Sequence, residues 1–249
     1  MPVLDIATVA RTSDILVLSV SDDAIGSVCA ELAAGRHLRP GQLVIHVSGA
    51  HGLKLLAPAA DAGAVPFAIH PAMTFPGLDS DADNLVGLAY AVTARPAERA
   101  DAEQLVRDIG GVPVWIEDDD RTLYHAALVL GANNLITLTA SAMEALSAAG
   151  VEDPGFVIAP LLRTSLENAL RLGDQALTGP VRQADTGTIE AHLDVLRSRT
   201  PDLVMGYLQF GLVTARRAQQ AALNEASDLD RVIALLEERA AQEQSPITE

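Results

Sequence analysis

Small polar residues and histidines follow three apolar segments in the first third of this chain, and residues of these types can bind or orient a small ligand. The segments, 14–20, 43–47 and 65–69, are largely apolar runs that predict buried parallel strands. In an open α/β sheet, a ligand binds beyond the carboxyl ends of the strands. That rule selects the residues at the three predicted strand ends: Ser19, Ser21, Asp22, His46, Ser48, Gly49, His51, His70, Met73 and Thr74.

Some of these residues also have a purely structural interpretation. Ser21 and Asp22 can cap the helix that follows them, because their side-chain oxygens can accept hydrogen bonds from free amides of its first turn. His46 lies inside its strand, where a buried imidazole with satisfied hydrogen bonds is the more common arrangement. The sequence leaves both interpretations open for these residues.

The histidines and Ser48 were weighed against two other chemistries. His46, His51 and His70 lack the close two-histidine spacing of zinc enzymes, and no cysteine pair assists them. Ser48 does not lie in a G-x-S-x-G nucleophile elbow, because His46 stands two residues before it. We therefore expect neither a metal nor a nucleophilic serine at this edge.

The elements that must position these residues alternate between strand and helix through the first half of the chain. Two further strands are predicted at 88–93 and 112–116, and helices are predicted at 23–34, 52–60 and 96–109. Alternation of this kind indicates right-handed crossover connections and a mostly parallel sheet.

The pattern changes after Asp120. Residues 122–149 form one apolar helical run without proline that Gly150 closes, a helix of about 42 Å. Later helices are expected to start at Asp153-Pro154, Asp185, Thr200-Pro201 and Ser227, with a kink or restart at Pro160, an end at Gly173 and disorder from Gln242. The fold class is therefore α/β, with a mostly parallel sheet at 1–118 followed by an all-α domain at 119–249.

Charge and cysteine content restrict the partners and the compartment. The chain has 17 basic and 33 acidic residues and a net charge of -16, which disfavours nucleic acid and anionic membrane surfaces. The single cysteine, Cys29, excludes an internal disulfide and fits a reducing compartment. Asp5 and Arg11 interrupt the first segment, so no signal peptide or membrane span is expected before the fold. We expect a cytoplasmic protein without nucleic-acid or membrane partners.

The long helix predicts self-association. Its apolar residues surround much of the circumference: Leu128, Leu130, Ile136, Leu138, Met143 and Leu146. One half-covered face cannot bury them all, so the helix needs cover on most of its sides. We expect a homodimer that is built mainly from the helical domain.

Several groups of residues, taken together, match the motifs of a known family. They are Asp14 to Asp23, His46 to Ala50, His70 to Phe75, Tyr124-His125 with Asn133, and Leu177 to Val181 with Asp185 and His192. In this combination the chain resembles Rossmann-like oxidoreductases with a C-terminal helical domain of formerly unknown function. That family is similar to pyrroline-5-carboxylate reductase and ketopantoate reductase. The resemblance implies a Rossmann-like NAD(P)-binding domain at 1–118 and NADP or NAD as the cofactor.

This sequence departs from the family at its start. A typical member begins with a strand, a glycine loop and a second strand, roughly fifty residues that have no counterpart here. Without the glycine-loop strand, the sheet would keep an apolar edge with unpaired backbone groups. We interpret this as a truncation caused by a start codon assigned too far downstream. The remaining residues expected to contact the cofactor are Ser19, Ser21, Asp22, Ser48, Gly49, Met73 and Thr74.

The resemblance also implies roles in a reduction, in which the cofactor supplies hydride and the protein supplies a proton. Lys54 is the sole lysine, so no lysine in the second half can be the acid. His125 is the candidate proton donor, with hydrogen bonding at the domain junction as its alternative role. Asn133, eight residues later and about 80° around a regular helix, would hold the substrate oxygen.

A second group of residues would hold the substrate carboxylate. Thr178 and Gly179 lie in a loop similar to the carboxylate-gripping loop of pyrroline-5-carboxylate reductases, and backbone amides of such a loop can bind an anion. Arg182 would add charge and His70 would line the same site. Asp185 is expected to be a helix cap more than an acid.

Two functions follow. The first is an NAD(P)-dependent reductase of a small 2-oxo or imino acid, with a ketopantoate-like substrate favoured. The second is a non-catalytic Rossmann relic that binds a metabolite or stabilises a partner. An upstream segment that encodes a glycine loop would favour the first function.

Overall fold

The computed structural model describes residues 5–78 and 81–244, which form two compact units that divide between Leu135 and Ile136. The sheet ends at Trp115, and helices follow from Arg121 onward. The first unit extends past the sheet because Arg121 ties the first of these helices to the strands. The predicted domain limit at residue 118 stays a prediction.

Five strands form one sheet among the described residues, in the order β1-β2-β3-β4-β5. They are β1 (Ile15–Leu18), β2 (Leu43–His46), β3 (Val65–Pro71), β4 (Ala89–Thr93) and β5 (Val112–Trp115). Neighbouring strands are parallel except β3 and β4, which are antiparallel. The predicted α/β fold with a mostly parallel sheet is confirmed, and each predicted strand lies within a few residues of its expected position.

The first unit also contains five helices, of which α2, α3 and α4 connect strands. The five are α1 (Ile6–Thr12), α2 (Asp22–Ala34), α3 (Ala57–Asp61), α4 (Arg99–Asp108) and α5 (Arg121–Leu128). The helix predicted at 52–60 is a 3-10 turn over Leu53–Leu56 followed by α3, because Pro58 suits the first turn of a new helix. Helix α1 was not predicted; the Asp5 carboxylate caps it by accepting from the Thr8 amide at 2.9 Å.

Strand β1 is buried on one face only, contrary to the prediction of a fully buried strand. Leu16 and Leu18 face the core that α2 covers, whereas Ile15 and Val17 are 45% and 50% exposed. Side chains alternate between the two faces of a strand, so one face of β1 is uncovered. Among residues 5–78 and 81–244, β2 is the only strand that pairs with β1.

The second unit is helical. Its elements are α6 (Asn134–Ala148), which begins at the division, α7 (Pro154–Leu172), α8 (Gly179–Arg182), α9 (Thr186–Arg199), α10 (Val204–Gln220) and α11 (Ala226–Gln244). Its core lies between α9, α10 and α11 and contains Ile189, Leu193, Leu208, Val232 and Leu236.

The helix boundaries of the second unit can be compared with the predictions at three places. Pro160 neither ends nor restarts a helix, since α7 continues through it. Gly173 ends α7 as predicted, with a φ of 58° that favours glycine. Disorder from Gln242 is wrong for 242–244, which belong to α11, and 245–249 lie outside the described residues.

The predicted helix over 122–149 is interrupted. Helix α5 ends at Leu128, the residues Val129–Asn133 form a π-helical turn, and α6 follows. A π-turn contains i→i+5 hydrogen bonds and changes the angular spacing of residues on either side of it. An angle between two side chains about the helix axis that is calculated for a regular α-helix is therefore wrong when the two residues lie on opposite sides of this turn.

Helices α6 and α7 contain no buried residue. Large apolar side chains on them are exposed by 38% or more, among them Ile136, Leu138, Phe156, Leu161, Leu166 and Leu170. The helical stretch Asp118–Ala148 is also long and apolar enough to cross a membrane by length and composition alone. An 18-residue window within it has a mean hydropathy of 1.4 and no buried residue. Core helices of soluble proteins pass the same test of length and composition.

Candidate functional site

Strands β1, β2 and β3 bring their carboxyl ends to one edge of the sheet. Parallel registers align Leu18 with His46 and His46 with Ala68. The antiparallel pairing of β3 with β4 places Thr93 opposite Ala68. Polar residues from β2, β3 and β4 and from two helices meet at this edge.

Arg121, the first residue of α5, joins three of these strands and is completely buried. Its guanidinium donates to the carbonyl of Ser48 at 2.7 Å, to the hydroxyl of Thr93 at 2.9 Å and to the carbonyl of Ala68 at 3.3 Å. The arginine therefore fixes the start of α5 on the ends of β2, β3 and β4. Burial lowers the pKa of Arg121, but a guanidinium remains charged at any physiological pH.

The sequence did not predict Arg121 as a site residue. It follows three aspartates at the start of a helix, a position where an arginine is normally exposed to solvent. Only the assembled sheet shows that its side chain is buried among strand ends. We find no signal in the sequence that could have identified it.

His46 is a buried histidine with both ring nitrogens satisfied, as its structural interpretation predicted. The Ser48 amide donates to Nδ1 at 3.2 Å, so Nε2 must carry the ring proton in the neutral form and donates to the Gly52 carbonyl at 2.9 Å. Burial lowers the pKa of His46, and Arg121 lowers it further. His46 is therefore a neutral structural residue at this edge.

Ser48 and Asp22 are directly bonded. The Ser48 hydroxyl donates to Asp22 Oδ2 at 2.7 Å and accepts from the amides of Ala50 and His51 at 3.2 and 3.3 Å. Asp22 thus links α2 to the end of β2, while the side chain of Ser21 makes no capping hydrogen bond. The hydroxyl is held by a carboxylate and two amides and has no histidine as its base, which is not the arrangement of a nucleophilic serine.

His70 bonds to Tyr124. Their closest polar atoms, Nδ1 and the phenol oxygen, are 3.0 Å apart, and the rings meet edge to face at 5.7 Å. The His125 ring also meets that of His70 edge to face, at 6.3 Å between centroids. Burial, the charge of Arg121 and the proximity of His125 lower the pKa of His70 to about 4, so it is neutral at physiological pH.

Gly49 allows these rings to approach the backbone of β2. A Cβ atom at this position would lie 2.7 Å from Cδ2 of His125 and 3.0 Å from Nε2 of His70. Contacts this short would displace one of the imidazoles. The small residue predicted at the strand end is therefore required by the packing of two histidines.

The structure brings some predicted residues together and leaves others apart. Asp22, Ser48, Gly49, His70 and His125 form one cluster with Arg121 and Tyr124. The other predicted cofactor residues lie on loops outside its hydrogen bonds among the described residues: Ser19 and Ser21 before α2, and Met73 and Thr74 after β3.

Asn133 is the last residue of the π-turn and is exposed. The predicted angle of 80° from His125 assumed a regular α-helix and is wrong for this chain, because the π-turn lies between the two residues. In the described part of the chain, no hydrogen bond joins Asn133 to the cluster. Its role toward a substrate stays a prediction.

The predicted carboxylate-binding residues lie in the second unit. Thr178 precedes α8 and is exposed, and Gly179 has a φ of 84° that favours glycine. The carbonyl of Arg182 accepts from Asn224 Nδ2 at 3.2 Å. Asp185 caps α9 by accepting from the Thr188 amide at 3.0 Å, which confirms the expected cap. These positions neither support nor exclude an anion site.

The turn between β1 and α2 does not fit a cofactor pyrophosphate. It consists of Ser19, Val20 and Ser21 without glycine, and Asp22 and Asp23 occupy the first turn of α2. Helix N-termini bind phosphate through free amides and positive potential. The negative charges of Asp22 and Asp23 in the first turn of α2 repel a phosphate there. Among the residues described, no group of three or more histidines, cysteines and acidic residues has a metal-binding arrangement.

The fold and this edge define a class of protein. Residues 1–71 match the model of a Rossmann-like domain. Residues 88–214, just over half of the chain, match a second model, and the chain belongs to the family it describes, the domain of unknown function DUF2520. A search of curated protein sequences finds no match to this chain.

Solved structures share the fold at low sequence identity. A Bacteroides fragilis protein named as an NADP oxidoreductase matches with a TM-score of 0.65 at 18% identity, over 82% of this chain and 78% of that one. Plasmodium falciparum pyrroline carboxylate reductase with NADP bound gives 0.56 at 15%, over 92% and 79%. A Myxococcus stipitatus imine reductase in complex with NADP+ gives 0.54 at 14%, over 95% and 78%. These identities establish a common fold and nothing finer.

Proposed function

We propose that this chain is an NAD(P)-dependent reductase of a small 2-oxo or imino acid. One observation carries the proposal: a buried cation, Arg121, lies beside a bonded histidine and tyrosine at the carboxyl-end edge of a Rossmann-like sheet. Ligands of such sheets bind at this edge, and groups that exchange protons are what a reductase must add to a hydride donor.

The structural neighbours support the same class of reaction. They are named as an NADP oxidoreductase, a pyrroline carboxylate reductase with NADP bound and an imine reductase in complex with NADP+. Redox chemistry linked to NADP is what these names share. We therefore extend the predicted cofactor, NADP or NAD, to this chain as part of the proposal.

The residues present suit the nicotinamide end of such a cofactor better than its pyrophosphate. When bound, the nicotinamide supplies a hydride. The cluster of Ser48, His70, Tyr124 and His125 offers polar groups for a nicotinamide and for a substrate carbonyl or imine. The pyrophosphate has no suitable cradle at the turn before α2, where Asp22 and Asp23 stand. No residue of that turn is therefore assigned to it.

We further propose that the substrate carries a carboxylate and resembles ketopantoate. This rests on the loop at Thr178 and Gly179, with Arg182 nearby in sequence. Exchange of Thr178 for valine should raise KM with little change in kcat, because the hydroxyl would act on bound substrate and on the transition state alike. Thr188→Val is the matched control, since its hydroxyl only bonds to the Asp185 cap.

The second candidate is a non-catalytic protein that binds a metabolite. The acidic first turn of α2 favours it, because a carboxylate pair at a helix N-terminus repels a dinucleotide phosphate.

One experiment separates the two. Purified protein is mixed with NADPH or NADH and with 2-dehydropantoate, pyrroline-5-carboxylate or a cyclic imine, and oxidation of the cofactor is followed at 340 nm, a wavelength standard for dihydronicotinamides, while calorimetry measures cofactor binding. Turnover with any of these substrates supports the reductase. Binding of a carboxylate without cofactor binding or turnover supports the second candidate.

A further inference from the structure

Arg121 is a buried cation that makes no hydrogen bond to a carboxylate among the residues described. Its hydrogen bonds go to two backbone carbonyls and one hydroxyl, and Nε has no partner there. The charge of Asp118 acts on Arg121 without a direct bond. A buried charge that is not hydrogen-bonded to a counterion costs free energy, so such groups are usually paired or functional. A neutral side chain could also donate hydrogen bonds to these three strand ends. The hydrogen bonds therefore do not explain why the residue at this position is charged.

The charge of Arg121 acts on the two residues that face it from β3 and α5. It opposes protonation of His70, together with burial and the neighbouring His125, while Asp22 on α2 acts in the other direction. Burial raises the pKa of the Tyr124 phenol above its ordinary value, and the charge of Arg121 offsets only part of that rise. The pair is thus a neutral imidazole bonded to a phenol that is protonated at physiological pH and lies near a cation.

A second histidine–tyrosine pair has the same hydrogen bond, but no cation is among the causes that shift the pKa of its tyrosine. In the second unit, His192 Nδ1 lies 2.9 Å from the Tyr207 hydroxyl, and the rings meet edge to face at 5.8 Å. Burial raises the pKa of Tyr207, with no opposing charge. The two pairs share their geometry, so the buried arginine is what distinguishes Tyr124 from Tyr207.

We propose that Tyr124 is the proton-donating residue of this site and that Arg121 and His70 are its positioning residues. This rests on the reductase function proposed above. The Tyr124 hydroxyl gives its proton to the substrate oxygen or nitrogen, which gains an electron pair as hydride from the nicotinamide cofactor reaches the adjoining carbon. The phenolate that remains is stabilised by Arg121 and takes a proton from water.

This assignment replaces the sequence-based choice of His125. The His125 ring touches that of His70, and its side chain makes no hydrogen bond among the residues described. Tyr124 is bonded through its hydroxyl and lies in the field of the buried cation. A protonated phenol beside a fixed positive charge, which offsets part of the free-energy cost of forming the phenolate, is suited to act as a general acid.

The first test measures turnover. We expect Tyr124→Phe to lower kcat about 10² to 10⁴-fold with KM nearly unchanged, since only the transferable proton is removed. Tyr207→Phe is the matched control and should keep wild-type kcat. Retained kcat in Tyr124→Phe, or a loss of kcat in Tyr207→Phe as large as that expected for Tyr124→Phe, would overturn the assignment.

The second test needs no cofactor or substrate. The absorbance of tyrosinate is followed against pH, and the Tyr124→Phe trace is subtracted to isolate Tyr124. Arg121→Gln, which can still donate two hydrogen bonds, should shift Tyr124 ionisation to higher pH, whereas Arg121→Lys should stay close to wild type. Equal ionisation of Tyr124 in the Gln and Lys variants contradicts the role of Arg121.

The two tests fail separately. If the wild-type protein reduces none of the substrates, the reductase function and the proton-donor role fail together, while the titration still decides whether Arg121 tunes Tyr124. If reduction occurs but Tyr124→Phe is active, the reductase function stands and the assignment of Tyr124 is wrong.

Discussion

The hydroxyl of Ser48 donates a 2.7 Å hydrogen bond to the carboxylate of Asp22 and so joins the end of β2 to the first turn of α2. The same oxygen accepts from the amides of Ala50 and His51, which have no helix or strand partner at that point. One side chain therefore organises the turn that leads from β2 into the site.

Removal of this hydroxyl should destabilise the first unit. We expect Ser48→Ala to lower the free energy of unfolding by about 1 to 3 kcal/mol, because the bond from the buried Ser48 hydroxyl to a half-exposed carboxylate and its two amide contacts are lost together. Urea denaturation measures the change. Ser27→Ala is the control, since the exposed Ser27 hydroxyl only bonds to the Ala24 carbonyl of its own helix. Equal stability of both variants would show that the Ser48 bonds add nothing measurable.

His70 should make stability depend on pH. Its pKa is lowered to about 4 in the folded chain, against about 6.5 for a free histidine. Between these values the unfolded chain binds the proton and the folded chain does not, so stability should rise with pH through this window and fall on acidification. Urea denaturation at pH 5 and pH 7 measures the difference. His70→Gln, which cannot titrate, should lose this contribution; an unchanged pH dependence in that variant would refute it.

Gly49 should not tolerate a methyl group. Gly49→Ala would place Cβ 2.7 Å from the His125 ring and 3.0 Å from the His70 ring, so at least one imidazole must move. We expect lower stability and a disturbed His70–Tyr124 bond, visible as a changed NMR titration of His70. Gly206→Ala in α10 meets no atom within 4 Å and should be neutral or slightly stabilising. Wild-type stability and an unchanged His70 titration in Gly49→Ala would contradict this prediction, because they would show that the backbone shifts to accommodate the methyl group.

The exposed helices α6 and α7 should associate with those of a second copy. We propose a homodimer because Phe156 and Leu170 are 79% and 82% exposed, and full burial of such a side chain yields about 1.5 to 3 kcal/mol. Sedimentation of the wild type should give a dimer, and Phe156→Glu with Leu170→Glu should give a folded monomer.

Val195→Glu is the control for that experiment, because Val195 is exposed on α9, away from these two helices in sequence. It should leave the dimer intact. A wild-type monomer that sediments with lipid vesicles would instead indicate that the apolar stretch Asp118–Ala148 meets a membrane, and it would end the dimer proposal.

The sequence predicted the strands well because each is a short apolar run bounded by polar or small residues, and local composition suffices to recognise such a run. Gly49 and His70 could be selected for the same reason, since strand ends of a parallel sheet converge. Arg121 could not be found, because its burial depends on three strands that are distant in sequence. Asn133 was placed wrongly relative to His125, because apolar periodicity does not reveal a π-turn of five residues.

The hydrogen bonds of the buried His46 ring allow this edge of the sheet to be followed by NMR. Its Nδ1 is occupied by the Ser48 amide, and its Nε2 proton is held by the Gly52 carbonyl. A ring proton bound in this way is shielded from exchange with solvent, and imidazole N–H protons resonate away from the crowded backbone amides. The protein therefore contains its own probe at the edge of the sheet, and a single proton spectrum would report whether the turn between Ser48 and Gly52 is intact in every variant described above.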